Sequence, residues 1–215
     1  MNVVLMGPPG AGKGTQAEKL AAEFLIPRIT AGDILRDAVK DDRPLGKKVR
    51  QYVEGGSLVP DDTILAVMGE RMGKRDANRG WFLDGFPRTL EQAKGFDAWL
   101  QKRGQKIDRV FEIWVDAKVV VKRLLSRRQC SQCGATYNLE TQLPKKNGIC
   151  DQCGGNLILR KDDNEKTILH RLDVYEKQTR PLVKYFKNQG CLETVDGNQS
   201  PVKVFETLCS LIKSV

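Results

Sequence analysis

No apolar run in this sequence approaches the roughly 20 residues that a bilayer-spanning helix needs, so a membrane span is excluded. Internal repeats and low-complexity tracts are lacking too, and 40% hydrophobic residues exclude wholesale disorder. The opening MNVVLMG has no basic stretch of the kind that begins a secretory leader and reaches glycine at position 7. A chain that starts directly in its own core, with a cytoplasmic address, is therefore expected. Histidine occurs once, as His170, and no general base stands out. What the chain has is length and positive charge. Its 215 residues suffice for one full core with an inserted or appended lobe. Lys plus Arg number 36 against 27 for Asp plus Glu, a formal charge of +9. That surplus suggests an anionic partner without distinguishing nucleic acid, membrane surface and small phosphates, so the placement of the charges must decide.

Residues 2–6 (NVVLM) form a short run, apolar from Val3 to Met6, that predicts a buried parallel strand. Ala17, Leu20, Ala21 and Phe24 then recur at helical spacing over 13–24, and Pro27 stops the pattern. Further helices are expected at 31–40, 45–54, 61–74, 89–102, 117–128, 164–188 and 202–213, with strands at 81–83, 109–115 and 191–195. Pro181 should kink or divide the penultimate helix. Strands alternating with helices predict an α/β domain with a mainly parallel sheet. Residues 129–159 break this alternation and read as a small inserted lobe.

Gly7-Pro8-Pro9-Gly10-Ala11-Gly12-Lys13-Gly14-Thr15 stands between the first strand and the first helix. A phosphate chain needs several backbone N–H donors converging from a tight loop, a helix N-terminus behind them and a mobile positive charge such as Lys13. The spacing fits a P-loop, although Gly14 occupies the place where the strict pattern has Ser or Thr, and Thr15 comes one residue late. Cys130-x2-Cys133-x16-Cys150-x2-Cys153 has zinc-ribbon spacing, two short chelating turns that place four thiolates about one metal and close a lobe too small for its own core. Disulfides are the competing reading, which a reducing compartment disfavours. Four protein ligands leave no open position, so such a metal is structural. Cys191 and Cys209, among apolar neighbours, read as buried small hydrophobes, and His170 as a structural residue.

Taken together, GPPGAGKGTQA, Gly32-Asp33 with Arg36, and Leu83-Asp84-Gly85-Phe86-Pro87-Arg88-Thr89 resemble the adenylate kinases, over essentially the whole chain and in order. The cysteine-bearing insert resembles the long-lid, zinc-binding bacterial type. The resemblance implies a P-loop nucleoside monophosphate kinase fold: a central parallel sheet flanked by helices in a core of residues 1–29, 60–125 and 164–215. A helical AMP-binding lobe would span 30–59 and a zinc-binding lid 126–163. It implies transfer of a phosphoryl group from MgATP to AMP, giving two ADP, by a monomer with no nucleic-acid or membrane partner.

Site roles follow from the same resemblance. Gly10, Ala11, Gly12, Lys13, Gly14 and Thr15 would hold ATP phosphates, together with Arg123 and Arg127, which share one face if the helix runs to residue 128. Arg36 and Arg88 would hold the AMP phosphate, and Arg160 and Arg171 would close over the transferring group. Asp84, at a strand end, would organise magnesium through water. Gln92, Ala31, the segment Ser57-Leu58-Val59 and Gly85, Phe86 and Pro87 fall where the family binds AMP; Thr136, Tyr137 and Gln199 fall where it contacts the ATP adenosine. Asp162 and Asp163 fit helix N-caps and, by resemblance, help lid closure. Thr30-Ala31-Gly32-Asp33 departs from the family, which has a second hydroxyl at position 31 facing AMP. Two other readings stay open: a kinase of another nucleoside monophosphate, and a nucleic-acid-binding ATPase gripping a backbone through the zinc ribbon. Against the latter, the stretch from Cys130 to Leu159 has only Lys145 and Lys146 as basic residues.

Overall fold

The computed structural model describes residues 1–41 and 43–214. Asn2–Met6 forms β1, buried throughout, and pairs in parallel on both sides, with β3 (Trp81–Asp84) and with β4 (Arg109–Trp114). β2 (Arg28–Thr30) joins outside β3 and β8 (Leu192–Asp196) outside β4, so the order is β2-β3-β1-β4-β8 and every pairing is parallel. The chain leaves β1 for one half of the sheet and later returns to the other. A crevice therefore opens at the carboxyl end of β1, where the connections diverge.

Strand residues alternate between faces, and both faces are covered, which is why β1 is apolar from Val3 to Met6, while Asn2 at its start donates its side-chain amide to Lys106 O. Val4 and Met6 pack with Trp81, Phe96 and Phe186 in a core under α4 (Asp61–Met72), α5 (Leu90–Gln101) and α8 (Pro181–Asn188). Val3 and Leu5 pack with Leu20 of α1 (Lys13–Phe24), Leu124 of α6 (Ala117–Leu125), Ile168 of α7 (Glu165–Val174) and Leu208 of α9 (Pro201–Lys213). Thr89 caps α5 by accepting from Gln92 N at 3.1 Å, and Pro opens α8 and α9, where its missing N–H has no helical partner to lose. No helix among the described residues is long and apolar enough to cross a membrane.

Two outgrowths border the crevice. α2 (Ala31–Lys40) and α3 (Pro44–Gly55) form a helical hairpin whose backbones meet at Gly46; a Cβ there would lie 2.0 Å from the Ala38 carbonyl oxygen. The insert is a small antiparallel sheet, β6 (Thr136–Asn138), β5 (Arg127–Cys130) and β7 (Leu157–Ile158) in that order, around Cys130, Tyr137 and Cys150.

The structure adds to or departs from the sequence reading at three points. The helix expected over 117–128 ends at Leu125, and Arg127 is a strand residue, so Arg123 and Arg127 do not share a helix face. The cause lies in the insert: Asn138 Nδ2 donates to Arg123 O at 2.9 Å and Leu139 N to Ser126 O at 2.9 Å, capturing carbonyls that another helical turn would use. The segment 164–188 is divided, as Pro181 leads one to expect, but the regular α-helix stops earlier, at Val174, and a π-helical turn over Tyr175–Thr179 precedes Pro181. β2 was not anticipated; three residues are too few to display alternation.

Filling the space at Gly46 tests the hairpin. Gly46→Ala is expected to lower unfolding free energy by about 1–3 kcal/mol, because backbone rather than a flexible side chain must move. An unchanged urea midpoint would mean that the two helices do not meet there.

Candidate active site

The loop leaving β1 begins with a glycine that only glycine can be. Gly7 has φ +140°, and a Cβ on it would stand 2.4 Å from the Ile113 carbonyl oxygen. At its other end Gly12, φ 92°, precedes α1 without any side-chain cap, so the first-turn N–H groups stay open to an anion. Lys13 Nζ folds back to donate to Gly7 O and Pro8 O, each at 2.8 Å. Burial pulls its pKa down to about 8, with Arg88, Arg171 and Arg127 adding to the effect and Asp84 opposing it. Asp84 ends β3, is 7% exposed, and places Oδ2 3.4 Å from where a Gly14 Cβ would be.

Guanidiniums converge on this loop from separate elements. Arg88 Nε donates to Gly85 O at 2.7 Å, and Arg36 of α2 pairs with Asp33. Arg127 of β5 donates from Nε to Asp163 Oδ2 at 2.7 Å, and Arg171 of α7 from Nη1 to Asp163 Oδ1 at 3.2 Å. Asp162 accepts from Arg160 Nε at 2.9 Å and from Arg171 Nη1 at 3.1 Å. Burial lowers the pKa of Arg36 and of Arg88, with Arg160 adding like-charge repulsion at both, and brings Arg171 down to about 10. Burial opposes the ionised form of Asp162, yet Arg160, Arg171 and Arg127 hold its carboxyl well below the usual range. The N-cap of α7 is neither Asp162 nor Asp163 but Asn164, whose side chain accepts from Thr167 N at 3.0 Å. Both aspartates are committed to arginine.

Gly10 to Thr15, Asp84, Gly85, Pro87, Arg88, Arg123, Arg127, Arg160, Arg171, Thr136, Tyr137 and Gln199 border one continuous cleft. Ala31, Ser57, Val59 and Gln92 border an adjoining recess, and Arg36, Leu58, Gly85, Arg88 and Arg171 border both. Phe86 borders neither: it is 1% exposed and packs edge-on against Phe96 at 5.1 Å between ring centroids. Gln92 is buried with its amide already engaged, Oε1 accepting from Arg88 N and Nε2 donating to Asp61 Oδ1, both at 2.7 Å. Sequence reasoning missed Arg28 and Thr30, which border the cleft as alternate residues on β2 around the buried Ile29. It also missed Gln16, one turn into α1, and Tyr175 and Thr179 in the π turn. Nothing in the sequence pattern marked either the three-residue strand or the π turn.

The four cysteines of the insert come together with their Sγ atoms all within 4.8 Å of one another. Cys130 to Cys153 is 3.4 Å and Cys133 to Cys150 is 3.6 Å. A tetrahedral site with bonds of about 2.3 Å has edges of about 3.8 Å, so the donor set fits a zinc ion and exceeds a covalent S–S bond. Against burial, the Tyr137 hydroxyl and the N–H groups of Cys153 and Gln152 draw the Cys150 thiol down to about 6, favouring a thiolate. His170 stands apart, its Nε2 2.9 Å from Ser57 Oγ. Cys191 and Cys209 are half-buried at the core margins, not fully buried as expected, because each sits where an element meets solvent.

Comparison with known proteins bears on this arrangement as a whole. The family described as adenylate kinase matches residues 5–191. Proteins named adenylate kinase from Clostridium tetani and Caldanaerobacter subterraneus subsp. tengcongensis are 42% identical over 100% of both chains and 45% identical over 97% of this chain and 94% of theirs. One from Bacillus thuringiensis is 46% identical over 99% of this chain and 98% of its own. These matches run through the hairpin and the cysteine lobe and are not confined to the phosphate loop, and by them the chain belongs to the adenylate kinase family.

Proposed function

We propose that the chain moves the terminal phosphoryl group of MgATP reversibly to AMP, giving two ADP, with the donor along the phosphate loop and the acceptor in the recess. The observation that carries this placement is the sharing of Arg36, Arg88 and Arg171 between cleft and recess. Two anions bound on either side of shared guanidiniums face each other at the point where a phosphoryl group must pass.

In this reading the loop N–H groups from Gly10 to Thr15, with Lys13, Arg123 and Arg127, bind the donor phosphates, and Thr136, Tyr137 and Gln199 its adenosine. Arg36 and Arg88 hold the AMP phosphate; Ser57, Leu58, Val59, Ala31 and Gln92, with the Gly85-Phe86-Pro87 backbone, enclose the rest of AMP. An acceptor phosphate oxygen attacks the terminal phosphorus in line as the bond to the bridging oxygen of ADP breaks. The acceptor is already anionic, so no general base is required. Arg160 and Arg171 neutralise the equatorial oxygens. Asp84 would hold Mg2+ through water, and that ion supplies further neutralisation of phosphate charge. Cys130, Cys133, Cys150 and Cys153 would hold Zn2+, which fixes the lobe covering the donor and takes no part in the chemistry. The lobe excludes water that would otherwise accept the phosphoryl group. A monomer acting in the cytoplasm accords with this reading, since four thiols aligned for metal suit a reducing compartment.

With ATP and magnesium, a panel of monophosphates is expected to show AMP as the preferred acceptor and only slow hydrolysis without it. Activity that ignores AMP and requires nucleic acid would contradict the proposal. Arg88→Ala should cut turnover by about 10²-fold or more while leaving the melting temperature nearly unchanged, since it removes a charge clamp and no core. A collapsed melting temperature would make Arg88 structural.

Lys13 adds a pH dependence. Its charged form, which the donor phosphates select, is lost in the free protein as pH rises through about 8. ATP binding should therefore take up little proton near pH 7 and about one near pH 9, with affinity falling about tenfold in all between the two. Calorimetry in buffers of different ionisation enthalpy measures the uptake; none near pH 9 would show that Lys13 stays charged.

Metal analysis is expected to find one zinc ion per chain. Its removal should lower the stability of the lobe, while transfer persists below the new melting point. Two disulfides by thiol titration would contradict the site.

A further inference from the structure

One guanidinium at the floor of the cleft has no part in the roles above. Arg28 opens β2 with its side chain on the face opposite Ile29, which is 2% exposed in the core. Its Nε donates to Thr30 Oγ1 and its Nη2 to Asp33 Oδ2, both at 2.9 Å, and its Nη1 stands 3.9 Å from Glu18 Oε2. A Cβ on Gly14 would meet Asp84 Oδ2 at 3.4 Å and Arg28 Nη2 at 3.6 Å, so this guanidinium reaches the phosphate loop itself. The other oxygen of Asp33 accepts from Arg36 Nη2. One carboxylate is thus shared by two arginines, and of the two only Arg36 borders the recess.

That sharing matters when an acceptor arrives. A phosphate in the recess competes with Asp33 for Arg36. As Arg36 turns to the phosphate, the Asp33 carboxylate loses a partner and stands, uncompensated, beside an incoming dianion. Like charges at such range oppose binding directly, and a loosened carboxylate would reclaim Arg36. Arg28 removes both difficulties, because it occupies the opposite oxygen and is itself aligned by Thr30. We propose that Arg28 is a positioning residue for the acceptor: by holding Asp33 it releases Arg36 to bind the AMP phosphate. This inference rests on the proposed placement of the acceptor in the recess.

Arg28→Gln retains the reach and an N–H donor but removes the charge. The expected result is a rise in the KM for AMP of about three- to tenfold, smaller than the loss of a direct charge-assisted hydrogen bond because Arg28 acts through Asp33, with the KM for ATP unchanged and kcat within about twofold. Arg28→Lys should restore part of the affinity, and in an Asp33→Asn background Arg28→Gln should change the KM for AMP little, since no charge is left to hold. Melting temperatures of all variants establish that they are folded. An unchanged KM for AMP in Arg28→Gln overturns the inference, as does a full effect in the Asp33→Asn background, which would mean direct contact with phosphate. A rise in the KM for ATP or a loss confined to kcat overturns it as well. Arg36→Gln separates this from the underlying placement: if it raises the KM for AMP while Arg28→Gln does not, only the role of Arg28 fails. If neither variant moves it, the acceptor is not in the recess.

Discussion

Like charges brought together away from water are the constraint on which this structure turns. Lys13, Arg36, Arg88, Arg127, Arg160 and Arg171 reach one cleft from separate elements, and burial lowers the pKa of Lys13, Arg36, Arg88 and Arg171. Left alone, such a cluster would push itself apart or fill with water. Asp33, Asp84, Asp162 and Asp163 prevent this, each placed against the cations by a strand end, a loop or a helix start. Asp163 bears the heaviest part: fully buried, it receives Arg127 from β5 of the insert and Arg171 from α7, and so ties the insert to α7.

On the proposed reading, the same compensation lets these cations sit together and still favour phosphates. Most of the aspartates supply negative charge at the periphery of the guanidiniums, whereas Lys13 in the centre donates to two loop carbonyls and has only Asp84 to hold its charge against burial and the arginines. A polyphosphate offers it a better partner and meets the uncapped start of α1 as well. Binding then strengthens contacts that the folded chain has already arranged, and no new machinery has to be assembled around the reacting groups.

Much of this was legible in sequence where the determinant is local. The apolar run before Gly7, the glycine spacing and the paired Cys-x2-Cys turns each carry their geometry in a few neighbouring residues, and the structure has β1, the loop and the four-sulfur cluster where those patterns lie. The end of α6 was not legible, because it depends on Asn138, distant in sequence, taking a carbonyl that helical periodicity assigns to the next turn. Nor were the partners of Asp162 and Asp163, whose position suggested a cap while Arg127 of β5, Arg171 of α7 and the neighbouring Arg160 claimed them. Arg28 escaped for a related reason: on so short a strand its alternation with Ile29 becomes visible only beside β3.

The melting temperature of Asp163→Asn, with and without saturating MgATP, tests the central claim most directly. Removing a buried partner of two arginines is expected to cost about 3–5 kcal/mol in the free protein. Phosphates should then restore the missing negative charge, so the rise in melting temperature on adding nucleotide should be larger in the variant than in the parent chain. An equal or smaller rise would contradict the account, by showing that Asp163 and the bound phosphates do not answer to the same buried positive charge.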